Sequence, residues 1–483
     1  MTNLADELLA GGNGDIALIS TRGRETFGAL RQRIQVRADT MFSAAGKQLA
    51  FSFLPNTIDM VTTYLAAITS GHAIGLFPPA TPAGRKLRLI QAYRPEIVTA
   101  ARGDELHEQL SALGYRGLAP SGDDQSPIWQ RQPEGRLAPQ LALLLSTSGS
   151  TGTPKLVRLS RASVAANAAG IAHSLGIAPR HRAVTSLPLC YSYGLSVLNS
   201  HLAAGSSVVV SDQSPMIGSF WRLVHRHAIV EVSGTPLFYQ AIFRRPDGPE
   251  LPPAVRVLTQ AGGRLPTAHL QRALDLMTAA DGRFFCMYGQ TEATSRISCL
   301  DLSMRPDKLG SVGLALPGGR VHVGAAMDGT DSGPIGYTGP NVMMGYATSR
   351  EDLARDHDVD CLDTGDLGRL DADGFLYLTG RSSRFTKIVD RRVSLDDIEE
   401  WLELPGRCAV VTGPPGGAAI VVFTTESQRA LSGGCQALTA SLGIPAAAVE
   451  VREISAIPRT AGGKIDYGQL EKAARPAAPV AAR

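Results

Sequence analysis

Between residues 140 and 287 the chain sets short apolar runs, at 141–145, 206–210, 229–232, 255–258 and 284–287, against longer stretches of helical character such as 162–173 and 217–227. Alternation at this spacing predicts strand–helix units and a mostly parallel α/β sheet. The first 100 residues repeat the theme, with a run at 49–54, a helix near 58–69, a second run at 73–76 and a loop at 78–82. No repeat at solenoid spacing is present.

Beyond Asn341 the pattern changes. Gly365, Gly368, Gly374 and Gly380 punctuate short strands such as 375–378, which predicts a small β-rich unit. Ser394 offers an N-cap, with Asp397 three residues on, for a helix over 396–404. Strands at 408–411 and 419–423 and a helix near 430–442 follow. The fold expected is α/β: a large N-terminal domain over 1–381, then a small α+β domain over 384–483, with the polar turn 380–384 as the border.

Composition narrows the class. A chain of 483 residues exceeds one ordinary core, and 44% hydrophobic with 19% charged residues excludes a disordered protein. No apolar run is long enough to span a membrane, and the first 15 residues lack the basic and apolar regions of a signal peptide, so a cytoplasmic protein is expected. The six cysteines form no C-x-x-C pair and no zinc spacing with histidine, so reduced thiols and no structural metal are expected. A net charge of +3 without a basic block gives nucleic acid nothing to bind. Only seven of the 47 basic residues are lysine. Lys155, Lys387 and Lys464 fall in glycine-bearing or turn-flanked segments, where a mobile point charge can follow a reacting anion.

The strongest local signal is Ser146-Thr147-Ser148-Gly149-Ser150-Thr151-Gly152-Thr153-Pro154-Lys155, directly after the apolar run 141–145. Hydroxyls, glycines and a closing lysine suit a loop that wraps a polyphosphate. It is not a P-loop, because Pro154 precedes the lysine and no hydroxyl residue follows it. The plainer alternative is a solvated linker, which would seldom follow a core strand so abruptly.

This string resembles the phosphate loop of the adenylate-forming superfamily: acyl-CoA synthetases, peptide-synthetase adenylation domains and luciferases. Six more signatures follow in that family's order. Residues 187–195 resemble its acyl-pocket segment and 261–265 its glycine turn beside adenine. Tyr288-Gly289-Gln290-Thr291-Glu292 matches Y-G-x-T-E, 363–366 carries T-G-D, Gly380-Arg381 is the G-R pair, and 458–464 resembles the C-terminal lysine loop. The resemblance covers about residues 20 to 470.

It implies ATP and Mg²⁺ as cofactors and a carboxylic acid as substrate, joined as acyl-AMP with loss of pyrophosphate. Thr147, Ser148, Gly149, Ser150, Thr151, Gly152 and Lys155 would hold the β- and γ-phosphates. Gly262, Gly263, Tyr288 and Gly289 would frame adenine, Thr291 would meet the α-phosphate, and Glu292 would hold the metal. Asp366 and Arg381 would fix the ribose, and Lys464 would bridge the carboxylate and α-phosphate during attack. Outside the family frame these residues have plain alternatives: Tyr288 as a core aromatic, Asp366 as a turn residue, Lys464 on a solvated loop.

The resemblance also implies that the C-terminal domain is mobile, turning about Ser383 and bringing Lys387 in for a second step, transfer to the thiol of CoA or of a carrier protein's phosphopantetheine. Asp390 stands where relatives commonly carry the glycine that lets a pantetheine arm approach, which fits the alternative of passing acyl-AMP to an amine or other nucleophile. A third reading, a silent nucleotide-binding relative, would have lost Glu292, Asp366 or Lys464. Tyr191, Tyr193 and Thr235 are expected to line the acid pocket. No acidic residue follows Tyr191, which disfavours α-amino acids. Only 19 residues follow Lys464, so the acceptor is expected to be a separate molecule, CoA or an acyl carrier protein.

Overall fold

The computed structural model describes residues 4–118, 126–146, 155–243, 250–326, 331–381, 384–388, 391–395, 408–413, 420–426, 445–460 and 463–475, together with Ile398, Glu399, Leu402 and Thr439. Two large sheets dominate. One has nine strands, in the order Leu314–Ala315, Ser298–Asp301, Arg283–Tyr288, Val257–Gln260, Glu231–Gly234, Arg182–Val184, Ser207–Val209, Ile16–Ser20 and Gly23–Thr26. The six strands from Arg283–Tyr288 to Ile16–Ser20 pair in parallel, and antiparallel strands close both edges. The other has eight, with Leu141–Ser146, Ala73–Leu76, Leu49–Phe53 and Ile97–Ala100 parallel at its centre. The N-terminal strand thus joins the sheet built mainly by residues 182–315, and Gly345–Ala347 returns to pair with Leu156–Ser160.

Helices fill the space between the sheets. Ile58–Thr69 is apolar on nearly every face and buried from Met60 to Ile68, as a helix covered on both sides must be. Ser192–Ala203 is buried likewise, and the largest core cluster draws on both helices and both sheets. Arg161–Leu175 starts where Ser160 Oγ accepts from Ser163 N at 3.0 Å and stops at Gly176, whose φ of +64° reverses the chain.

Residues 320–381 form an antiparallel four-stranded sheet. After it come the hairpin Phe385–Ile388 and Arg391–Ser394, a three-stranded sheet of Cys408–Thr412, Ile420–Thr424 and Val449–Glu453, and the helix Tyr467–Ala474. Among the described residues no helix is long and apolar enough to cross a membrane, and no group of three or more His, Cys, Asp or Glu residues could hold a metal.

Several boundaries differ from the sequence pattern. The runs at 229–232 and 255–258 become strands two residues later, Glu231–Gly234 and Val257–Gln260. Their polar ends are buried because they satisfy one another: Thr259 Oγ1 donates to Ser233 Oγ at 2.9 Å. Gly380 and Arg381 end the strand Leu376–Arg381 and do not form a turn. The helix expected over 396–404 keeps one described bond, Leu402 N to Ile398 O at 3.0 Å. The helix near 430–442 lies outside the described residues except for Thr439.

Candidate active site

Three neighbouring parallel strands, Glu231–Gly234, Val257–Gln260 and Arg283–Tyr288, end on the same side, so the loops after them sit side by side. Ligand sites in such sheets form beyond the carboxyl ends of the strands. Thr235 follows the first strand, 5% exposed, ahead of a helix opened by Pro236. Gly262 follows the second with φ +89°, and a Cβ there would lie 2.7 Å from the Tyr191 hydroxyl, 3.5 Å from Thr235 Cγ2 and 3.7 Å from Lys464 Cε. Only glycine fits, because both the backbone angle and the close approach exclude a side chain. Gln260 Nε2 donates to Gly263 O at 2.7 Å and fixes the turn.

The third loop carries Gly289 through Glu292. A Cβ at Gly289 would lie 1.8 Å from Ser295 O, so the chain folds back tightly here. Asn341 Nδ2 secures the return by donating to Ala293 O at 2.8 Å and Arg296 O at 2.7 Å. Thr291 Oγ1 lies 3.4 Å from Ser192 Oγ.

Charged groups gather around these loops. The Tyr288 hydroxyl donates to Asp366 Oδ2 at 2.5 Å, and Arg381, opposite Asp366 in the sheet register, places Nε 3.0 Å from its Oδ1. Burial and the adjacent carboxylate push the Tyr288 hydroxyl well above its ordinary range. Tyr346 donates to Glu292 Oε1 at 2.9 Å, and Lys155 Nζ sits 3.2 Å from the centroid of the Tyr346 ring. The second Glu292 oxygen has no partner among the described residues.

Lys464 arrives from the C-terminal part of the chain. Arg459 and Ile465 form a bridge, Thr460 N donates to Lys464 O at 2.8 Å, and Gly463 turns at φ +77°. The resulting hairpin holds Lys464 Nζ 5.7 Å from the Tyr191 ring centroid. Burial, then Arg381, brings the ammonium down to about 8, while Asp366 and Glu292 pull it up. The cluster therefore sets Lys464, Arg381 and Lys155 against two carboxylates, with room left for anions to complete the balance.

The structure brings together Lys155, Tyr191, Thr235, Gly262, Gly263, Tyr288, Gly289, Thr291, Glu292, Asp366, Arg381 and Lys464. Tyr193 lies deeper: it is 3% exposed, and its hydroxyl bonds to Thr259 O at 3.1 Å and Thr259 Oγ1 at 2.7 Å. Thr147, Ser148, Gly149, Ser150, Thr151, Gly152, Ser383 and Asp390 lie outside the described residues, and Lys387 lies in the strand Phe385–Ile388 opposite Arg392. Two residues at the site carried no signal in the linear chain. Tyr346 reaches Glu292 across 54 positions, and Arg296, four residues past Glu292, places Cζ 4.7 Å from the Tyr193 ring centroid.

A profile of AMP-binding enzymes matches residues 8–347. Curated relatives include an isonitrile lipopeptide synthase of Streptomyces coeruleorubidus, 29% identical over 86% of this chain and 29% of its own length. A 2-succinylbenzoate–CoA ligase of Bacillus pumilus is 32% identical over 50% of this chain and 49% of its own. The chain thus spans half or less of the length of these two. A sulfoacetate–CoA ligase of Cupriavidus necator is 29% identical, covering 84% of this chain and 79% of its own. The o-succinylbenzoate CoA synthetase of Bacillus subtilis, solved with an acyl-adenylate, superposes with TM-score 0.77 at 22% identity, covering 98% of each chain. ATP-bound MatB of Rhodopseudomonas palustris gives 0.79, also at 22% identity and 98% of each chain.

Proposed function

The chain belongs to the AMP-binding enzyme family, and from that premise we propose that it activates a carboxylic acid with ATP and transfers the acyl group to a thiol. The observation that carries this is Lys464: a hairpin from the far end of the chain places its ammonium against Tyr191 and Gly262, in the field of Arg381, Asp366 and Glu292.

In the first step a carboxylate oxygen attacks the α-phosphorus of ATP, the bond to the β-phosphate oxygen breaks, and pyrophosphate leaves. Lys464 neutralises the charge that gathers between carboxylate and α-phosphate, and Thr291 donates to the phosphate. Adenine stacks on Tyr288, whose orientation the Asp366 bond fixes, while Asp366 and Arg381 take the ribose. Lys155, with residues 147–152, holds the outer phosphates. The free oxygen of Glu292 fits Mg²⁺, which commonly takes one or two carboxylates and completes its shell with phosphates and water; the ion supplies charge neutralisation.

In the second step a thiol sulfur attacks the acyl carbon, AMP leaves with the bonding electrons, and the thiol proton is released. We infer that residues 1–381 form the core and 384–483 a lid that turns about Ser383, withdrawing Lys464 and presenting Lys387. Relatives named as CoA ligases and as a lipopeptide synthase support thiol transfer, to CoA or to a carrier protein's phosphopantetheine, and no described residue favours an amine acceptor. Acids bearing a second acidic group are named among those relatives.

The test is carboxylate-dependent ATP–pyrophosphate exchange over a panel of acids. Lys464→Ala is expected to lower exchange by about 10²–10³-fold while ATP still binds. Near-normal exchange in that variant would remove Lys464 from the chemistry.

A further inference from the structure

Five arginines are buried: Arg37, Arg158, Arg296, Arg350 and Arg384. Four of them face a carboxylate, at 3.0 Å to Asp59, 2.6 Å to Asp358, 2.7 Å to Glu96 and 2.7 Å to Glu399, respectively for Arg37, Arg158, Arg350 and Arg384. Arg296 is the exception. It is 2% exposed, its Nε is sealed without a partner, and its guanidinium has no hydrogen bond or ion pair among the described residues. A guanidinium taken from water with its donors unused is costly to the fold. Its ring contact with Tyr193 supplies attraction but no acceptor.

The nearby carboxylate is engaged elsewhere. Glu231 lies 3.4 Å from His201 Nε2 and accepts from Ser233 Oγ at 3.3 Å. Relaxation of the main chain is also resisted, since Asn167 Nδ2 and Asn341 Nδ2 hold Arg296 O at 3.1 and 2.7 Å. Beneath Tyr193 the space lined by Arg296, Ser196, Ser200, Ser233 and Thr259 is closed even to a water molecule, so solvent cannot compensate the charge there.

Arg296 nonetheless belongs to the acid pocket. Lys464 Nζ stands over Tyr191, Tyr191 meets Tyr193 edge-on with centroids 6.3 Å apart, and Arg296 covers Tyr193. Burial pushes the Tyr191 hydroxyl up to about 12, and the charge that opposes this is Arg296. A tyrosine pair is therefore bracketed by two cations, one already placed to meet the reacting carboxylate.

We propose that the acid carries a second anionic group, a carboxylate or sulfonate on a short spacer, which pairs with Arg296 while the reacting carboxylate faces Lys464. This rests on the adenylation reading above. A planar fork of donors matches such a group, and the closed space beneath Tyr193 leaves a long tail nowhere to go.

The test compares charged acids with neutral isosteres in ATP–pyrophosphate exchange: succinate against succinamate, and sulfoacetate against methylsulfonylacetate. The wild-type enzyme is expected to favour the dianion in kcat/KM by on the order of 100-fold, the size expected for a charged hydrogen bond, and Arg296→Met to erase that preference. In thermal unfolding the dianion should raise the Tm of the wild type and not of Arg296→Met, whose ligand-free form should melt no lower than the wild type. Exchange supported by monoanionic acids but not by dianions would overturn this inference and leave adenylation standing. Exchange with no acid at all would overturn both. Should Arg296→Met fail to fold, the unpaired-charge argument falls with it, while Arg296→Lys, which keeps charge but not the fork, still tests the preference and should show it weakened.

Discussion

At the scale of single residues, the site works by holding charges that the protein alone does not neutralise. Lys464 shows it most directly. Its ammonium is depressed from 10.5 to about 8, so in the free enzyme it loses its proton as pH rises through 8. The kcat/KM for ATP should fall along that limb, and the limb should be absent from the residual exchange of Lys464→Ala. The stability consequence has the opposite sign. Burying this ammonium opposes folding fully below about 8, and the penalty fades towards 10.5, because in that window the unfolded chain binds more protons. The Tm advantage of Lys464→Met over the wild type should shrink accordingly between pH 7 and pH 10. Tyr346 makes a second case. Its hydroxyl orients Glu292 and its ring carries Lys155, so Tyr346→Phe keeps the ring contact and removes only the hydrogen bond. Exchange should then need several-fold more Mg²⁺ for half-saturation with little change in Tm; an unchanged Mg²⁺ requirement would reduce Tyr346 to packing.

At the scale of elements, what could be read from the chain divides by physical cause. Apolar runs mark strands because burial on both faces demands them, and 141–145 and 284–287 fall within one residue of the strands Leu141–Ser146 and Arg283–Tyr288. The polar strand ends at Ser233 and Thr259 could not be read that way, since their burial depends on bonds to each other across the sheet. The same limit hid Tyr346 and Arg296. One acts through a partner 54 positions away, and the other is informative only because its partner is missing. The glycine turn was legible as a motif, but its reason, the approach of Tyr191, Thr235 and Lys464 to Gly262, is three-dimensional. Gly262→Ala places a methyl 2.7 Å from the Tyr191 hydroxyl at φ +89°. It should cut exchange by at least about tenfold through a raised KM for the acid, while secondary structure, followed by circular dichroism, is unchanged.

At the scale of the whole molecule, the apolar cores show how the chain is divided. The clusters that bind the two large sheets and the antiparallel sheet end at Leu376 among buried residues, with Leu378 packed against them. Those of the C-terminal part begin at Leu395 and draw on nothing earlier. No cluster of described residues crosses from one side to the other, so the hydrophobic term that dominates stability acts separately on each. What does cross is polar or site-facing: Lys464 over Tyr191, and the packing of Lys464 and Gly463 against Gly262, Thr235 and Leu237. Contacts of that kind can be broken and remade without exposing a core, as a turning lid requires. A chain ending at Arg381 should therefore fold, melt cooperatively and bind ATP with an affinity lowered only by the loss of Lys464, yet support exchange no better than Lys464→Ala. Aggregation of the shortened chain would show that the cores depend on each other. Exchange at the wild-type rate would show that catalysis resides wholly in residues 1–381 and that the lysine hairpin has another task.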